Sequence, residues 1–469
     1  MRKFLVKRLL YPLHELAKGQ KTTSVYQVFR GREWWPVSRL QEFQLDGLKR
    51  LLRHAYEHAP FYKERFDVHG VSPDDLKAIE DIRRFPFLTK DQIRASRELM
   101  VTVPASKRSL LVPFSTGGST GEPVRFYIDR GRIASEWAAC WRARSWWGLD
   151  WGDSWFWLWG SPIELTAEDR IRARLKRLRD TLLSRKLLSA FDMTETTMAR
   201  YAELVRRTRP KYIYSYSSAA YLLAEFILKN KIDLSDSAPC VVFTTADTLY
   251  PHMRNAITQA FHCPVSIEYG SRDGGFVAHE CPAGGLHVHA DRVYLEIIRG
   301  DQSMPPGELG EIVLTSLDAT AMPFVRYRTG DVGALDPAPC RCGRSLPLLK
   351  SIEGRSSDYL LARGNRLIYG GSITSILTQF DGIARFRLLQ DEIDHLCLEI
   401  VKTHPNVELP LDQIQARIQR LFRHPVSVEF RFVESLAPTG SGKYRLVISK
   451  LTGRYFEMIP SPHIRERSS

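Results

Sequence analysis

Between Phe114 and Glu122 the chain reads Ser115, Thr116, Gly117, Gly118, Ser119, Thr120 and Gly121, with no bulky side chain. Such a run cannot pack a core. Its glycines permit close approach of a ligand, and its hydroxyls and successive amides can form a concave cradle for phosphate oxygens. A nucleotide is the expected occupant, and a flexible glycine/serine hairpin is the alternative, because short glycine motifs also occur without function. Leu110 to Val112 and Val124 to Ile128 read as strands, so the loop joins β to β. A Walker loop would run from strand into helix and end in Gly-Lys-Ser/Thr. This loop has no lysine, so its neutralising cation must come from elsewhere in the chain.

The cysteines form a second constellation. His279, Cys281, Cys340 and Cys342 offer one nitrogen and three sulfurs in two tight pairs. That donor set suits a closed tetrahedral structural Zn²⁺. His287 or His289 is an alternative fourth ligand, and buried reduced cysteines are the alternative to a metal. Such a zinc would staple a long insert and leave no open position for catalysis. The seven cysteines, an odd number, do not describe a secreted disulfide scaffold.

The elements that must position these groups follow from periodicity. Leu40, Phe43, Leu48, Leu51, Leu52 and Ala55 mark an amphipathic helix over residues 38–58, and a second helix is expected from Arg132 to Trp147. Ser154 to Trp159 reads as a buried strand whose tryptophans belong to the core or line an aromatic acyl pocket. Strand and helix patterns then alternate. Tyr212 to Tyr216 precedes Ala219 to Leu228, Cys240 to Thr244 precedes His252 to Phe261, and Val265 to Tyr269 follows. This is the rhythm of a largely parallel sheet, whose ligands collect at the carboxyl ends of strands, where Gly270 to Gly275 sits. Val293 to Arg299 and Glu311 to Ser316 predict a more antiparallel region. Beyond about Ser351, short strands around a helix from Leu411 to Phe422 predict a second, small α+β domain.

At 469 residues the chain is long enough for more than one domain, and 43% hydrophobic with 26% charged residues is ordinary globular composition. Its net charge of +14 favours anionic partners. The densest basic run, Arg170, Arg172, Arg174, Lys176, Arg177 and Arg179, reads as a solvated helix face. Nucleic-acid binding would rest on charge alone, since no recognised module appears, and it is not expected. No stretch approaches the roughly twenty apolar residues of a membrane span, and the N-terminus lacks a signal-peptide pattern, so a cytoplasmic protein is expected. Phe4, Leu5, Leu9, Leu10 and Leu13 lie among Arg2, Lys3, Lys7 and Arg8. That segment could rest on an anionic membrane surface, making the protein membrane-peripheral, or pack against the body.

Several separated motifs fall in the order found in AMP-forming adenylate-forming ligases: Phe114 to Pro123, Ile267 to Gly270, Arg326 to Asp331, Glu353 to Asp358 and Pro438 to Lys443. Within that superfamily the chain resembles the phenylacetate-CoA ligase group, including the CapK-like proteins. His54 to Tyr62 and Phe85 to Lys90 are similar to the group's N-terminal signature. The resemblance covers nearly the whole chain from about His54. It implies an α/β fold with a large N-terminal domain of parallel and mixed sheets, residues 1–354, and a small mobile C-terminal α+β domain, residues 355–469. It implies ATP and Mg²⁺, a carboxylic acid activated as its acyl adenylate, and transfer to coenzyme A.

Residue by residue, the resemblance implies that the loop Ser115 to Gly121 holds the β- and γ-phosphates and that Tyr269 stacks on adenine beside Gly270. It implies that Asp331 binds the ribose hydroxyls and that Arg328 and Arg355 contact ribose or phosphate. Lys443, framed by Gly440 and Gly442, would be the catalytic cation that the loop lacks. The small domain would rotate about Arg355 to Asp358, where Ser357 replaces the usual first aspartate. Arg272 and Asp273 also depart from the family pattern of a small or hydroxyl residue followed by glutamate. Asp273 could still organise Mg²⁺, while Arg272 places a fixed positive charge beside the acyl site, as a more anionic acid or an altered activity would require. Two rivals stand beside the CoA ligase: a CapK-like ligase with an amine of a polysaccharide precursor as acceptor, and a non-catalytic nucleotide-binding scaffold.

Overall fold

The computed structural model describes residues 2–116, 124–159, 179–190, 193–355, 359–369, 373, 376, 377, 379–436 and 446–451. Two compact units result. One comprises Met1–Glu296, Val313–Thr329 and Leu335–Lys350, the other Ile297–Ile312, Gly330–Ala334 and Ser351–Ser469.

The first unit opens with helices. An α-helical turn, Arg2–Leu5, and a π-helical turn, Val6–Leu10, lead into α1 (Tyr11–Lys18), followed by α2 (Thr22–Arg32), α3 (Val37–His58), α4 (Pro60–Val68) and α5 (Lys90–Ser96). The apolar spacing that predicts α3 is realised: Leu40, Leu48, Leu51, Leu52 and Ala55 are buried along one face. Strands β1 (Val112–Ser115) and β2 (Arg125–Ile128) pair antiparallel, so the hydroxyl-glycine run does join strand to strand. The Thr116 amide continues the ladder to the Val124 carbonyl at 2.9 Å.

Helix α6 (Arg130–Trp146) carries no apolar stripe and is buried on most sides, as a helix through the middle of a unit must be. Beyond it run β3 (Trp155–Trp159), β4 (Arg185–Ser189), α7 (Glu195–Thr208), β5 (Tyr212–Tyr216), α8 (Ser217–Lys229), β6 (Val241–Thr245), α9 (Pro251–Phe261) and β7 (Val265–Ser271). The strands lie in the order β7-β6-β5-β3-β4, every neighbouring pair parallel. Their continuous apolar runs suit strands covered on both faces. Tyr201, Val205, Leu223, Ile227, Ile257 and Phe261 from the helices pack with Phe156, Leu158, Ile213 and Val242 from the strands. Asp247, just past β6, accepts from the Ser217 amide at 2.6 Å and the Ser218 amide at 3.1 Å. It thereby caps α8 and ties two strand ends together. After β7 the chain reverses into β8 (Gly275–Glu280) and β9 (Leu286–Val288), both antiparallel, which makes the sheet mixed.

Strands β10 (Val293–Arg299), β12 (Gly310–Ser316), β13 (Tyr327–Asp336) and β14 (Leu348–Arg355) run between residues of the two units, and β11 (Gln302–Ser303) pairs antiparallel with β10. The second unit continues with the hairpin β15 (Tyr359–Ala362) and β16 (Arg366–Tyr369). Its four-stranded sheet consists of β17 (Ile383–Glu392), β18 (His395–Lys402), β19 (Ser427–Phe432) and β20 (Val447–Ser449), in the order β19-β18-β17-β20. Helix α10 (Leu411–Phe422) buries Ile414, Ile418 and Phe422, spaced by four, among Leu388, Leu398, Ile400 and Val428. Gln390 is buried and brackets Leu361, accepting from its amide and donating to its carbonyl, each at 2.8 Å.

One buried arginine fastens the Phe85–Lys90 segment to the start of β13. Arg326 bonds Glu296 through two contacts of 3.1 and 2.9 Å, donates to the Arg83 and Phe85 carbonyls at 3.0 and 2.7 Å, and lies 4.0 Å from the Phe87 ring centre. The Leu88 amide donates to the Arg326 carbonyl at 3.0 Å and the Arg328 amide to the Leu88 carbonyl at 2.9 Å. Replacing Arg326 by Met leaves the Glu296 charge buried and unpaired, so urea unfolding should show a loss of about 3–5 kcal/mol. Adding Glu296→Leu should recover much of it; a single variant as stable as the parent would contradict this role.

Candidate functional site

The turn between β7 and β8 gathers a dense set of buried polar contacts. Asp273 is buried there. Its carboxylate accepts from the Tyr327 hydroxyl and from the Gly274 amide at 3.1 Å. The ammonium of Lys90, which donates to the Thr329 carbonyl at 2.9 Å, supplies the nearby charge. Burial pushes the Asp273 carboxyl up, but Lys90 and the hydroxyls of Ser271 and Tyr327 outweigh it. Its pKa therefore lies below the usual carboxylate value and the group is a fixed anion. Hydrogen bonds from Tyr327, Ser271 and the Gly274 amide thus hold the carboxylate in one position.

The backbone of the same turn is held by two buried guanidiniums. Arg132 donates to the Asp273 carbonyl and pairs with Glu136 at 3.0 Å. Arg292 donates to the Gly274 and Phe276 carbonyls at 3.3 and 2.9 Å, and pairs with Glu136 at 3.1 Å and Asp318 at 2.8 Å. Gly275 has φ +70°, and a Cβ there would meet the Glu136 carboxylate at 2.4 Å and the Arg292 guanidinium at 2.5 Å. Glycine is therefore required for conformation and for space.

The other expected nucleotide-site residues fall as follows. Ser115 ends β1, and the Thr116 hydroxyl accepts from the Val124 amide at 2.9 Å. Gly117, Gly118, Ser119, Thr120 and Gly121 lie outside the described residues, as do Lys443, Ser357 and Asp358 and the side chain of Arg355, whose backbone closes β14. Tyr269 and Gly270 are on β7, the tyrosine buried and Gly270 opposite Phe276 of β8. Arg328 lies 5.1 Å from the centre of the Phe87 ring, and Asp331 is four residues into β13. Arg272 stands 5.0 Å from the Phe114 ring centre, so a fixed cation sits at the root of the loop. Lys90, Tyr327, Arg132, Arg292 and Glu136 carry no role in the sequence reading. The i,i+4 spacing of Arg132 and Glu136 was an available signal; for Arg292 there was none.

Trp159, one of the tryptophans expected in the core or at an acyl pocket, forms one aromatic group with Tyr214 and Tyr216. Trp159 lies 5.7 Å from Tyr214 and 4.0 Å from Tyr216, centre to centre. The Tyr214 hydroxyl donates to the buried Glu268. Thr245 ends β6, and the following Ala246 has φ +73°, a costly conformation for a residue with a Cβ.

The cysteines converge, but with a different histidine. Cys281, Cys340, Cys342 and His287 place their donor atoms within 4.8 Å of one another. The Cys281 and Cys340 sulfurs are 3.6 Å apart, and the Cys342 sulfur is 3.2 Å from His287 Nε2. Ligands at about 2.0–2.3 Å from a tetrahedral zinc stand about 3.5–3.8 Å from one another, so the set fits that ion. His287 Nδ1 faces the Leu346 carbonyl at 3.4 Å, which turns Nε2 towards the sulfurs. A Cβ on Gly285 would meet the Cys340 sulfur at 2.5 Å, so only glycine admits the cluster.

The expected ligand His279 stands elsewhere because both its ring nitrogens are engaged. Nε2 is 2.7 Å from Glu268 and Nδ1 is 2.8 Å from His289 Nε2, while His289 Nδ1 accepts from Arg142 at 2.7 Å. Burial and the Arg142 charge push the His289 pKa well below its ordinary value, so that ring is neutral. The donors then run one way, from Arg142 through His289 and His279 to Glu268.

Residues 360–450 match the model of the CapK C-terminal domain. The chain is 23% identical over 421 residues to Protein CapK of Staphylococcus aureus, spanning 88% of this chain and 90% of that protein. It is 31% identical over 338 residues to the phenylacetate-coenzyme A ligase of Pseudomonas putida, spanning 70% and 73%. Among solved structures, its fold is similar to that of 2-hydroxyisobutyryl-CoA ligase in the postadenylation state in complex with R3-HIB-AMP, with a TM-score of 0.72 and 23% identity over 90% of this chain and 92% of that one.

The crowding at Gly275 gives a direct test. Gly275→Ala should displace Glu136 or Arg292 and lower stability by about 1–3 kcal/mol, measured by urea unfolding, whereas Gly284→Ala, with open space around it, should cost less despite its φ of +85°. Equal losses would mean that strain alone, and not the ion pairs, demands glycine at 275.

Proposed function

The chain belongs to the phenylacetate-CoA ligase family of AMP-forming ligases, and on that premise we propose that it activates a carboxylic acid with ATP and passes the acyl group to coenzyme A. In the first step a carboxylate oxygen attacks the α-phosphorus, forming the acyl adenylate and releasing pyrophosphate. In the second the thiol of coenzyme A attacks the acyl carbon, forming the thioester and releasing AMP and a proton. The observation that carries the reading is the convergence of Phe85–Lys90, the β7–β8 turn and Tyr327 on one fixed anion, Asp273.

Anion-on-anion attack needs positive charge held in place and reactants in line. In this reading Ser115 to Gly121 cradles the β- and γ-phosphates with Arg272 at its root, Tyr269 stacks on adenine beside Gly270, and Asp331 takes the ribose hydroxyls. Arg328 and Arg355 contact ribose or phosphate. Mg²⁺, when bound with the triphosphate, neutralises phosphate charge, and Asp273 is the carboxylate that suits it. Lys443 is the catalytic cation, carried on a C-terminal domain of residues 355–469 that rotates against residues 1–354 between the two steps.

The match of residues 360–450 favours a second acceptor, an amine of a polysaccharide precursor. The Cys281, His287, Cys340 and Cys342 set holds a structural Zn²⁺ in this reading, with no part in the reaction. Among the described residues no helix is long and apolar enough to cross a membrane. Contact with an anionic membrane is peripheral, through the N-terminal helix.

Pyrophosphate release screened over aromatic, aliphatic, amino and dicarboxylic acids should identify the acid, and Lys443→Ala should slow adenylate formation at least about a hundredfold. An unchanged rate would overturn the role of Lys443. Amide formation with coenzyme A omitted would transfer the reading to the amine acceptor. For the metal, the purified chain should carry about one zinc, lost in His287→Ala and kept in His279→Ala when read by elemental analysis; the reverse pattern would overturn the assignment.

A further inference from the structure

The N-terminal helical run has two unlike sides. One packs on the first unit: Val6 is buried beside Gly152, Tyr11 meets the rings of Trp141 and Trp151 at 6.3 and 5.5 Å, and Lys3 and Lys7 pair with Asp153 and Asp150 at 2.6 and 2.5 Å. The other side carries Phe4, Leu5, Leu9, Leu13 and Leu16, between 46% and 78% exposed. Five of the sixteen exposed large apolar side chains among the described residues thus fall in one short helical run. Leu5, Leu9 and Leu13 recur every four residues across the π-helical turn Val6–Leu10, whose wider i→i+5 winding keeps that spacing close to one face. A monomeric protein seldom leaves so concentrated an apolar patch in water.

Next to this stripe the same helix lines a cavity of about 950 Å³, whose wall includes Lys7, Arg8, Arg30, Tyr11, Tyr26 and Trp151. Its only lining carboxylate among the described residues is Asp150, already paired with Lys7. Arg30 donates to the Tyr26 hydroxyl at 3.1 Å and reaches Glu33 only at 3.7 Å, and Arg8 has no carboxylate partner among the described residues. The cavity is therefore cationic with aromatic walls, and its wall residues Arg8 and Pro12 are next in sequence to Leu9 and Leu13 of the stripe. A bound anion that also carries an apolar tail would satisfy both features at once.

We propose that this helix docks on an anionic membrane and that the cavity seats a phospholipid headgroup, Arg8 and Arg30 facing its phosphate while the leucine stripe enters the acyl region. The inference rests on the peripheral-contact reading and is independent of the ligase chemistry. Apolar side chains in the interface and basic residues against anionic lipid are the two signals that stable peripheral binding needs.

The test is co-sedimentation of the full chain with vesicles of phosphatidylcholine alone or with phosphatidylglycerol added. The parent should bind the anionic vesicles at least tenfold more tightly and weaken in high salt. Each cation removed should cost about fivefold, so Arg8→Gln and Arg30→Gln should each weaken anionic binding by that factor or more, and Leu9→Ser with Leu13→Ser should abolish it. Pyrophosphate release without vesicles should be unchanged in all of them, showing that the variants are folded. If the parent ignores anionic vesicles, peripheral contact and headgroup site both fall. If the leucine variant fails while Arg8→Gln and Arg30→Gln bind like the parent, contact stands and the headgroup cavity is refuted.

Discussion

A short turn held by buried charge is the constraint on which the candidate site depends. The carbonyls of Asp273, Gly274 and Phe276 point at Arg132 and Arg292, whose charges are offset by Glu136 and Asp318. Two guanidiniums this deep are tolerable because carboxylates neutralise both and backbone carbonyls take part of their donors, although Arg132 Nη1 is left without a hydrogen-bond partner among the described residues. The consequence is a rigid turn that presents the Asp273 carboxylate in one position. Lys90 and Tyr327 then fix its charge, and those two residues arrive on segments more than two hundred positions apart in sequence. Arg326, the residue before Tyr327, joins the two by donating to the Arg83 and Phe85 carbonyls of the Lys90 segment while Glu296 of β10 holds its guanidinium.

A second buried network separates two chemistries that lie side by side on β8 and β9. His279 and His289 are consumed in a one-way line of hydrogen bonds that ends on Glu268 and the aromatic group of Tyr214 and Trp159. His287 lies within β9 and points to the cysteines, whereas His289 lies just past the end of that strand, where the ladder no longer sets its direction. Trp146 packs against both rings, 5.3 Å from His287 and 6.3 Å from His289, and so divides the sulfur cluster from the polar line.

Much of this was legible where one physical rule dominates. Helices α3 and α10 declare themselves through apolar residues every three or four positions, and the strands β5, β6 and β7 through short β-rich apolar runs between turn residues. The antiparallel β7–β8 turn was less visible, since Gly270 to Gly275 reads as a loop at a strand end whether or not the chain doubles back. The choice of His287 over His279 was beyond the sequence, because it depends on which ring nitrogens other side chains have already engaged. Arg132, Arg142 and Arg292 were missed for a related reason: charged residues are read as solvated, and nothing local in α6 says that Arg132 is buried against the β7–β8 turn and Arg142 against His289 and Asp291.

The measurement that bears most directly on the account is the fate of a carboxylate oxygen. With the acid identified and labelled with ¹⁸O in its carboxyl group, turnover with ATP and coenzyme A should deliver label to the phosphate of AMP, because the oxygen that attacks the α-phosphorus stays with AMP when the thiol displaces it. Label appearing instead in inorganic phosphate, with ADP as the nucleotide product, would contradict acyl-adenylate chemistry at this site.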